Sequence, residues 1–299
     1  MTALGLGVIA PYGEGLITSS GFLRDLAGTL EQCGVDSLWT VEHVVVAEGY
    51  EPRYPYSADG RMPSAAGVVP MPDPLELLAF FAALTSTLRL GTAVVVAPLH
   101  SPAVLAKRAA TLDRLSDGRF MLGLGIGWQK EEYAAVGAAY SERGARLEES
   151  VAAMRALWAD SPATFAGRFT SFREVHSQPR PLHGAVPVVL GGNSDAAVRR
   201  AARIADGWFP YAIGADEFEQ QAGVLRDTGA GAGRSTQPAI TVWPGSFDPS
   251  REREVDWVRR YVDAGASTLV VRLPIRSPAE LPTVPAVLDR YRDEVLAKL

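Results

Sequence analysis

Short apolar, β-branched runs alternate along the chain with longer stretches in which apolar residues recur every three to four positions. The short runs predict strands at Leu4–Ala10, Ser37–Val41, Leu88–Val96, Arg119–Ile126, Val186–Leu190, Gly207–Tyr211, Ile240–Trp243 and Thr268–Leu273. The periodic stretches predict helices at Ser20–Gly34, Pro74–Ser86, Glu142–Trp158, Ser194–Ala205, Asp216–Thr228, Arg251–Ala264 and Ala279–Leu299. A further helix starts at Pro102, where Ser101 supplies a cap and proline takes the favoured first position. Leu23, Leu26, Leu30 and Cys33 share one face of the first helix, and Gly34 is its stop. Leu147, Val151, Met154 and Trp158 form one stripe on the longest helix. Eight strand–helix units with mostly parallel, buried strands predict an α/β fold, the (β/α)8 TIM barrel.

Insertions after the second and fourth strands break this rhythm. Residues 44–72 hold five prolines and three tyrosines (Tyr50, Tyr54, Tyr56) without periodicity, and a connection that long suggests a functional lid or a disordered segment. Residues 163–175 read as an inserted hairpin turning at Gly167, and Ala230–Pro238 as a plain Gly-rich loop. Barrels of this size form single domains, so residues 1–299 are expected to be one.

Composition narrows the partners. The net charge is 29 − 34 = −5, which offers no basic surface to nucleic acid or anionic lipid. A single cysteine, Cys33, excludes an internal disulfide and suits a reducing compartment. No charged, apolar leader and no apolar run of bilayer length is apparent, so a soluble cytoplasmic protein without a membrane partner is expected.

In such a barrel the chemistry sits where strands end and loops begin. Candidates are Glu42 and His43 after the second strand and Val94–Pro98 with His100 after the third. Gly127, Trp128 and Gln129 follow the fourth, and Gly191–Ser194 the fifth. A helix starting at Gly191–Ser194 would aim unpaired N–H groups at an anion, with Asn193 or Ser194 able to add side-chain hydrogen bonds. Taken locally, a plain helix cap at Asn193 or Ser194 explains the same residues more economically. The glycines of Gly123–Gly127 lack the spacing and the following acid of a dinucleotide fingerprint, and either admit a flat ring or ease strand packing. The four histidines show no zinc-binding spacing, so no metal is expected.

Four stretches, "SLWTVEH", "LRLGTAVVVAPLHSPAVLAKRAATLDRLSDGRFMLGLGIGW", "ERGARLEESVAAMRALW" and "VPVVLGGNSDAAVRRAARIADGW", together resemble the bacterial luciferase-like flavin-dependent oxidoreductases. The resemblance is nearest to the branch that uses the deazaflavin coenzyme F420, and it covers nearly the whole chain. It implies a luciferase-like barrel holding F420, or alternatively FMN, with the ring at the mouth. His43 and Glu42 then lie beside the ring as the catalytic pair. Ala93 and Val94 match a non-proline cis peptide behind the ring, and Val96, Gly127 and Trp128 border it. Gly191, Gly192, Asn193 and Ser194 match the phosphate-binding stretch. Where some deazaflavin sugar-phosphate dehydrogenases have an acid after the fourth-strand glycines, this chain has Trp128, which cannot transfer a proton and could wall an apolar pocket. The resemblance implies hydride transfer between F420 and an unidentified small organic substrate, in a homodimer. Alternatives are monooxygenation with reduced FMN, and a non-catalytic flavin-binding protein.

Overall fold

In a computed structural model of the chain, residues 4–13, 15–62, 69–244 and 255–299 are described. The sheet strands are β1 (Gly5–Ile9), β2 (Ser37–Thr40), β3 (Arg89–Thr92), β4 (Val95–Val96) and β5 (Phe120–Gly125). A separate antiparallel pair, β6 (Ala163–Ala166) and β7 (Ser171–Val175), precedes β8 (Val188–Gly191), β9 (Gly207–Phe209), β10 (Ala239–Val242) and β11 (Ala266–Arg272). The hydrogen-bonded order is β3-β2-β1-β11-β10-β9-β8-β5-β4, and an additional β3–β5 pairing closes it. With β3 and β4 as two pieces of one interrupted strand, this is a closed eight-stranded parallel barrel, the (β/α)8 fold.

The helices are α1 (Ser20–Gln32), α2 (Pro74–Ala82), α3 (Pro102–Leu115), α4 (Lys130–Ala135), α5 (Arg143–Ala159), α6 (Asp195–Ile204), α7 (Ala215–Gly231), α8 (Val255–Asp263) and α9 (Val284–Glu294). Contacts cluster into two compact units, one of residues 1–39, 84–89 and 189–299, the other of residues 40–83 and 90–188.

In the first unit, α1 ends as its sequence dictates. Gly34 takes φ +59°, and the Val35 N–H returns to the Leu30 carbonyl. The Glu31 carboxylate accepts from the Thr87 N–H at 2.8 Å and the Leu88 N–H at 2.7 Å, fixing the approach to β3. Partial burial pushes the Glu31 carboxyl up, but the backbone N–H groups of Leu88, Thr87 and Ser86 outweigh this and hold it below its ordinary value. Trp208 and Phe218 stack with centroids 5.7 Å apart, and Tyr261 packs on Phe218 while its hydroxyl donates to the Ile213 carbonyl. All three rings are fully buried.

In the second unit, the stripe on α5 is buried as its periodicity predicts, and the Trp158 indole N–H donates to the Ala106 carbonyl of α3 at 3.1 Å. The Glu149 carboxylate collects the N–H groups of Arg168, Phe169 and Thr170 and fixes the turn between β6 and β7.

Several boundaries differ from the sequence pattern. The run Leu88–Val96 is cut between Thr92 and Val95, where the Ala93–Val94 peptide is cis. Apolar content cannot reveal such a break, because both sides of it are buried. Helix α7 runs on to Gly231, into the stretch expected as a loop, since a helix with a packed face tolerates glycines in its last turn. The C-terminal helix is three pieces: a 3-10 turn at Pro278–Thr283, then α9, then a 3-10 turn at Leu296–Lys298. Pro282 and Pro285 interrupt the first turns. Residues 251–254 of the expected helix at Arg251–Ala264, and 63–68 of the expected lid, lie outside the described residues.

The glycines of β5 are fixed by close approach to β3. The Thr92 hydroxyl donates to the Gly123 carbonyl at 2.7 Å and accepts the Gly123 N–H at 2.8 Å. A Cβ at Gly123 would lie 1.6 Å from the Thr92 carbonyl oxygen, and one at Gly125 2.4 Å from Val94 Cγ2. Gly123→Ala is therefore expected to cost about 3 kcal/mol or more, above the usual range for overpacking because the obstacle is backbone. A Cβ at Gly28, inside α1, meets nothing within 4 Å, so Gly28→Ala should stabilise by about 0.5–1 kcal/mol. Urea unfolding of both variants checks the contrast, and equal midpoints would contradict it.

Candidate functional site

The end of β2 delivers two consecutive ionisable residues, Glu42 and His43, to two different partners. Glu42 is buried, its Oε2 accepting the Val96 N–H at 2.6 Å and its Oε1 lying 2.9 Å from His100 Nε2. His43 Nδ1 lies 3.1 Å from Glu132 Oε2 on α4. The adjacent residues expected beside the ring thus sit in two separate carboxylate–imidazole pairs.

Glu132 was not apparent from sequence. It sits in "QKEEY", where Lys130, Glu131 and Glu132 resemble a solvated charge run. In the structure Lys130–Ala135 is a short helix, and its Glu132 side chain is 1% exposed. Gln129 and Tyr133, on either side of the Lys130–Glu132 run, are buried as Glu132 is, but a six-residue helix gives no periodicity from which to read this. The Tyr133 hydroxyl donates to the Ile126 carbonyl at 2.6 Å, and burial pushes this phenol well above its ordinary range.

Helix α4 also holds the start of the long insertion by its backbone. Glu132 Oε1 accepts the Val44 N–H at 2.6 Å and the Val45 N–H at 3.4 Å. Gln129 Oε1 accepts from Ala47, and Glu131 Oε1 accepts from Glu51 at 3.0 Å. The Glu51 N–H holds the Glu131 carboxyl below its ordinary value. The amide nitrogen of buried Gln129 has no hydrogen-bond partner among the described residues.

Beyond Glu51 the insertion folds on itself. Tyr54 N–H donates to the Gly60 carbonyl, the Ser57 hydroxyl to the Arg61 carbonyl, and Met62 N–H to the Tyr50 hydroxyl. Trp128 collects the aromatic groups. Tyr50, Tyr54 and His43 pack edgewise on it with centroids 5.0, 5.3 and 5.9 Å away. Gly127 takes φ +60°, and a Cβ there would lie 2.8 Å from Val96 Cγ1. Of the two readings of the Gly123–Gly127 glycines, the packing one accounts for Gly123 and Gly125. The cis Ala93–Val94 peptide lies on the same run, between β3 and Val96.

The Gly191–Ser194 junction belongs to the other unit and is built separately. Gly192 takes φ +113°, and a Cβ there would lie 2.9 Å from Ala197 Cβ. Its carbonyl accepts from the Trp208 indole at 2.9 Å. The Asn193 side chain donates to the Tyr211 carbonyl at 2.7 Å and accepts the Tyr211 N–H at 3.3 Å. Ser194 is the N-cap of α6, its hydroxyl accepting from Ala197 at 3.4 Å. The cap reading holds at Ser194, and the side chains of Asn193 and Ser194 fix the turn before α6.

Glu42 has a structural load that can be measured. Glu42→Ala would leave the Val96 N–H buried without an acceptor and is expected to destabilise by about 1–3 kcal/mol in urea unfolding. His100→Ala removes no backbone acceptor and should cost less.

No helix among the described residues is long and apolar enough to cross a membrane, and no cluster of three or more metal-ligating side chains occurs among them. The family model described as luciferase-like monooxygenase matches residues 6–292. An uncharacterized protein of Mycobacterium tuberculosis is 31% identical over 269 residues, covering 89% of this chain and 93% of that protein. An FMNH2-dependent dimethylsulfone monooxygenase of Pseudomonas fluorescens is 31% identical over 183 residues, 59% of this chain and 50% of that protein. Among solved structures, the coenzyme F420-dependent tetrahydromethanopterin reductase of Methanopyrus kandleri superposes with a TM-score of 0.72 at 16% identity, covering 99% of both chains. The relatives and neighbours with a described activity thus include an F420-dependent reductase and an FMNH2-dependent monooxygenase. The match along almost the whole chain places this protein in the luciferase-like monooxygenase family.

Proposed function

We propose that the protein is an F420-dependent oxidoreductase that moves a hydride between the deazaflavin and a small, partly apolar organic substrate carrying an alcohol or carbonyl group. The observation that carries this reading is the His43–Glu132 pair beside Trp128. A hydride leaving an alcohol carbon must be matched by a proton leaving its oxygen, and a carboxylate-held imidazole suits that task. The likeness to the F420-dependent reductase of Methanopyrus kandleri supports the same cofactor class.

Each unit, taken by itself, holds residues that the family resemblance assigns to such a cofactor. At Gly192 the backbone has no room for a side chain, and the Asp195 and Ala196 N–H groups at the start of α6 lie outside the helix's own ladder. These groups and the helix dipole would hold the phosphate. The Ala93–Val94 peptide, Val96, Gly127 and Trp128 would border the ring. When bound, the deazaflavin supplies the two-electron acceptor or donor. His43 would take the hydroxyl proton during oxidation and return it during reduction. Glu42 would hold Val96 and His100 in place. Trp128, with Tyr50 and Tyr54, would keep water from the substrate and favour an apolar one. By the family resemblance the working form is a homodimer.

Titration of the purified protein with F420 and with FMN, each oxidised and reduced, tests the reading. F420 is expected to bind more tightly. Tighter FMN binding with oxygen-dependent turnover would establish the monooxygenase reading, for which the Pseudomonas fluorescens relative speaks. Tight binding without turnover of the reduced cofactor with any acceptor would point to a non-catalytic binder. A deazaflavin fragment lacking the phosphate should bind roughly 10- to 150-fold more weakly for each charge-assisted N–H bond lost, at about 1.5–3 kcal/mol each. His43→Ala should lower turnover by about 10²–10⁴ with a smaller effect on cofactor affinity.

A further inference from the structure

We propose that Glu132 is a positioning residue that sets the tautomer of His43, using a carboxylate that simultaneously clasps the first residues of the 44–62 segment. Its use in proton transfer rests on the function proposed above, but the tautomer itself does not.

The geometry assigns one oxygen to each task. Oε1 accepts from the backbone of Val44 at 2.6 Å and Val45 at 3.4 Å, and Oε2 faces His43 Nδ1 at 3.1 Å. The carboxylate is almost fully buried, and the histidine side chain is 11% exposed. An ionised carboxylate can only accept, so the neutral imidazole must carry its hydrogen on Nδ1. Nε2 then holds the lone pair, and among the described residues it has no hydrogen-bond partner. Only this tautomer can receive a proton at the outer nitrogen, and the same carboxylate stays bonded to the imidazolium that forms.

The two tasks are coupled, because a side chain with one oxygen cannot perform both. In Glu132→Gln, a near-isostere, the Val44 N–H requires the amide oxygen on its side. The amide nitrogen then faces His43 Nδ1 and donates to it, and the ring must move its hydrogen to Nε2. The substitution is thus expected to invert the tautomer while leaving the segment seated. Glu132→Ala should release both.

The test is nitrogen NMR of the full chain labelled at its four histidines, recorded up to alkaline pH, with His43 assigned by the signal lost in His43→Gln. The wild type is expected to show protonated Nδ1 and unprotonated Nε2, and Glu132→Gln the reverse. Amide hydrogen exchange at Val44 should be equally slow in the wild type and Glu132→Gln and about five- to tenfold faster in Glu132→Ala, the equivalent of one hydrogen bond of about 1 kcal/mol. A wild-type spectrum with hydrogen on Nε2, or the same tautomer in the wild type and Glu132→Gln, would overturn the proposal. If Glu132→Gln does not fold, the wild-type spectrum still decides the assignment. All of these readouts use the protein without ligand. A failure to bind F420 would therefore strike the proposed function and leave the tautomer assignment intact, whereas a wrong tautomer would remove His43 as the proton acceptor and leave cofactor binding untouched.

Discussion

A buried carboxylate must find donors, and the arrangement after β2 follows from where Glu42 and Glu132 find theirs. Each takes a backbone N–H at 2.6 Å and a histidine nitrogen at about hydrogen-bond distance. For Glu42 the backbone group is Val96, just past the cis peptide, so its ionic bond secures the interrupted strand. For Glu132 it is Val44, so the same kind of bond secures the entry to the insertion. Removing either carboxylate strands a backbone donor as well as a histidine. Holding the histidine and holding the backbone are therefore not separable at these two positions.

The rigid parts around these pairs are set by backbone contacts. Thr92 and Gly123 exchange two hydrogen bonds through one hydroxyl, leaving no space for a side chain between β3 and β5. In the other unit, Trp208 and Asn193 fix the turn before α6 by bonds to main-chain atoms. Both devices fix the main chain and leave no room for a larger side chain at Gly123 and Gly192.

Periodicity made most of the barrel legible, since buried strands and one-faced helices are direct outcomes of apolar placement. The stripe on α5 and the stop of α1 at Gly34 were readable for that reason. The break between Thr92 and Val95 was not, because hydrophobicity is continuous across it. The resemblance, rather than the pattern, pointed to Ala93–Val94. His43 and Glu42 were legible as candidates from their place after a strand, but their partners were not. Short α4 carries too few turns for a periodic signal, and a charge run gives no sign that one of its members is buried.

The insertion also has a consequence for how such a chain could be recombined. Residues 50–62 satisfy much of their own backbone, through the Tyr54–Gly60, Ser57–Arg61 and Tyr50–Met62 bonds. Toward the second unit, Gln129, Glu131 and Glu132 accept from the backbone of residues 44–51, and Trp128 packs against Tyr50 and Tyr54. This insertion therefore cannot be exchanged alone between relatives. The transplantable module is two-part, residues 44–62 together with 128–132, and a chimaera that moves one half without the other would present a loop whose amides have lost their acceptors.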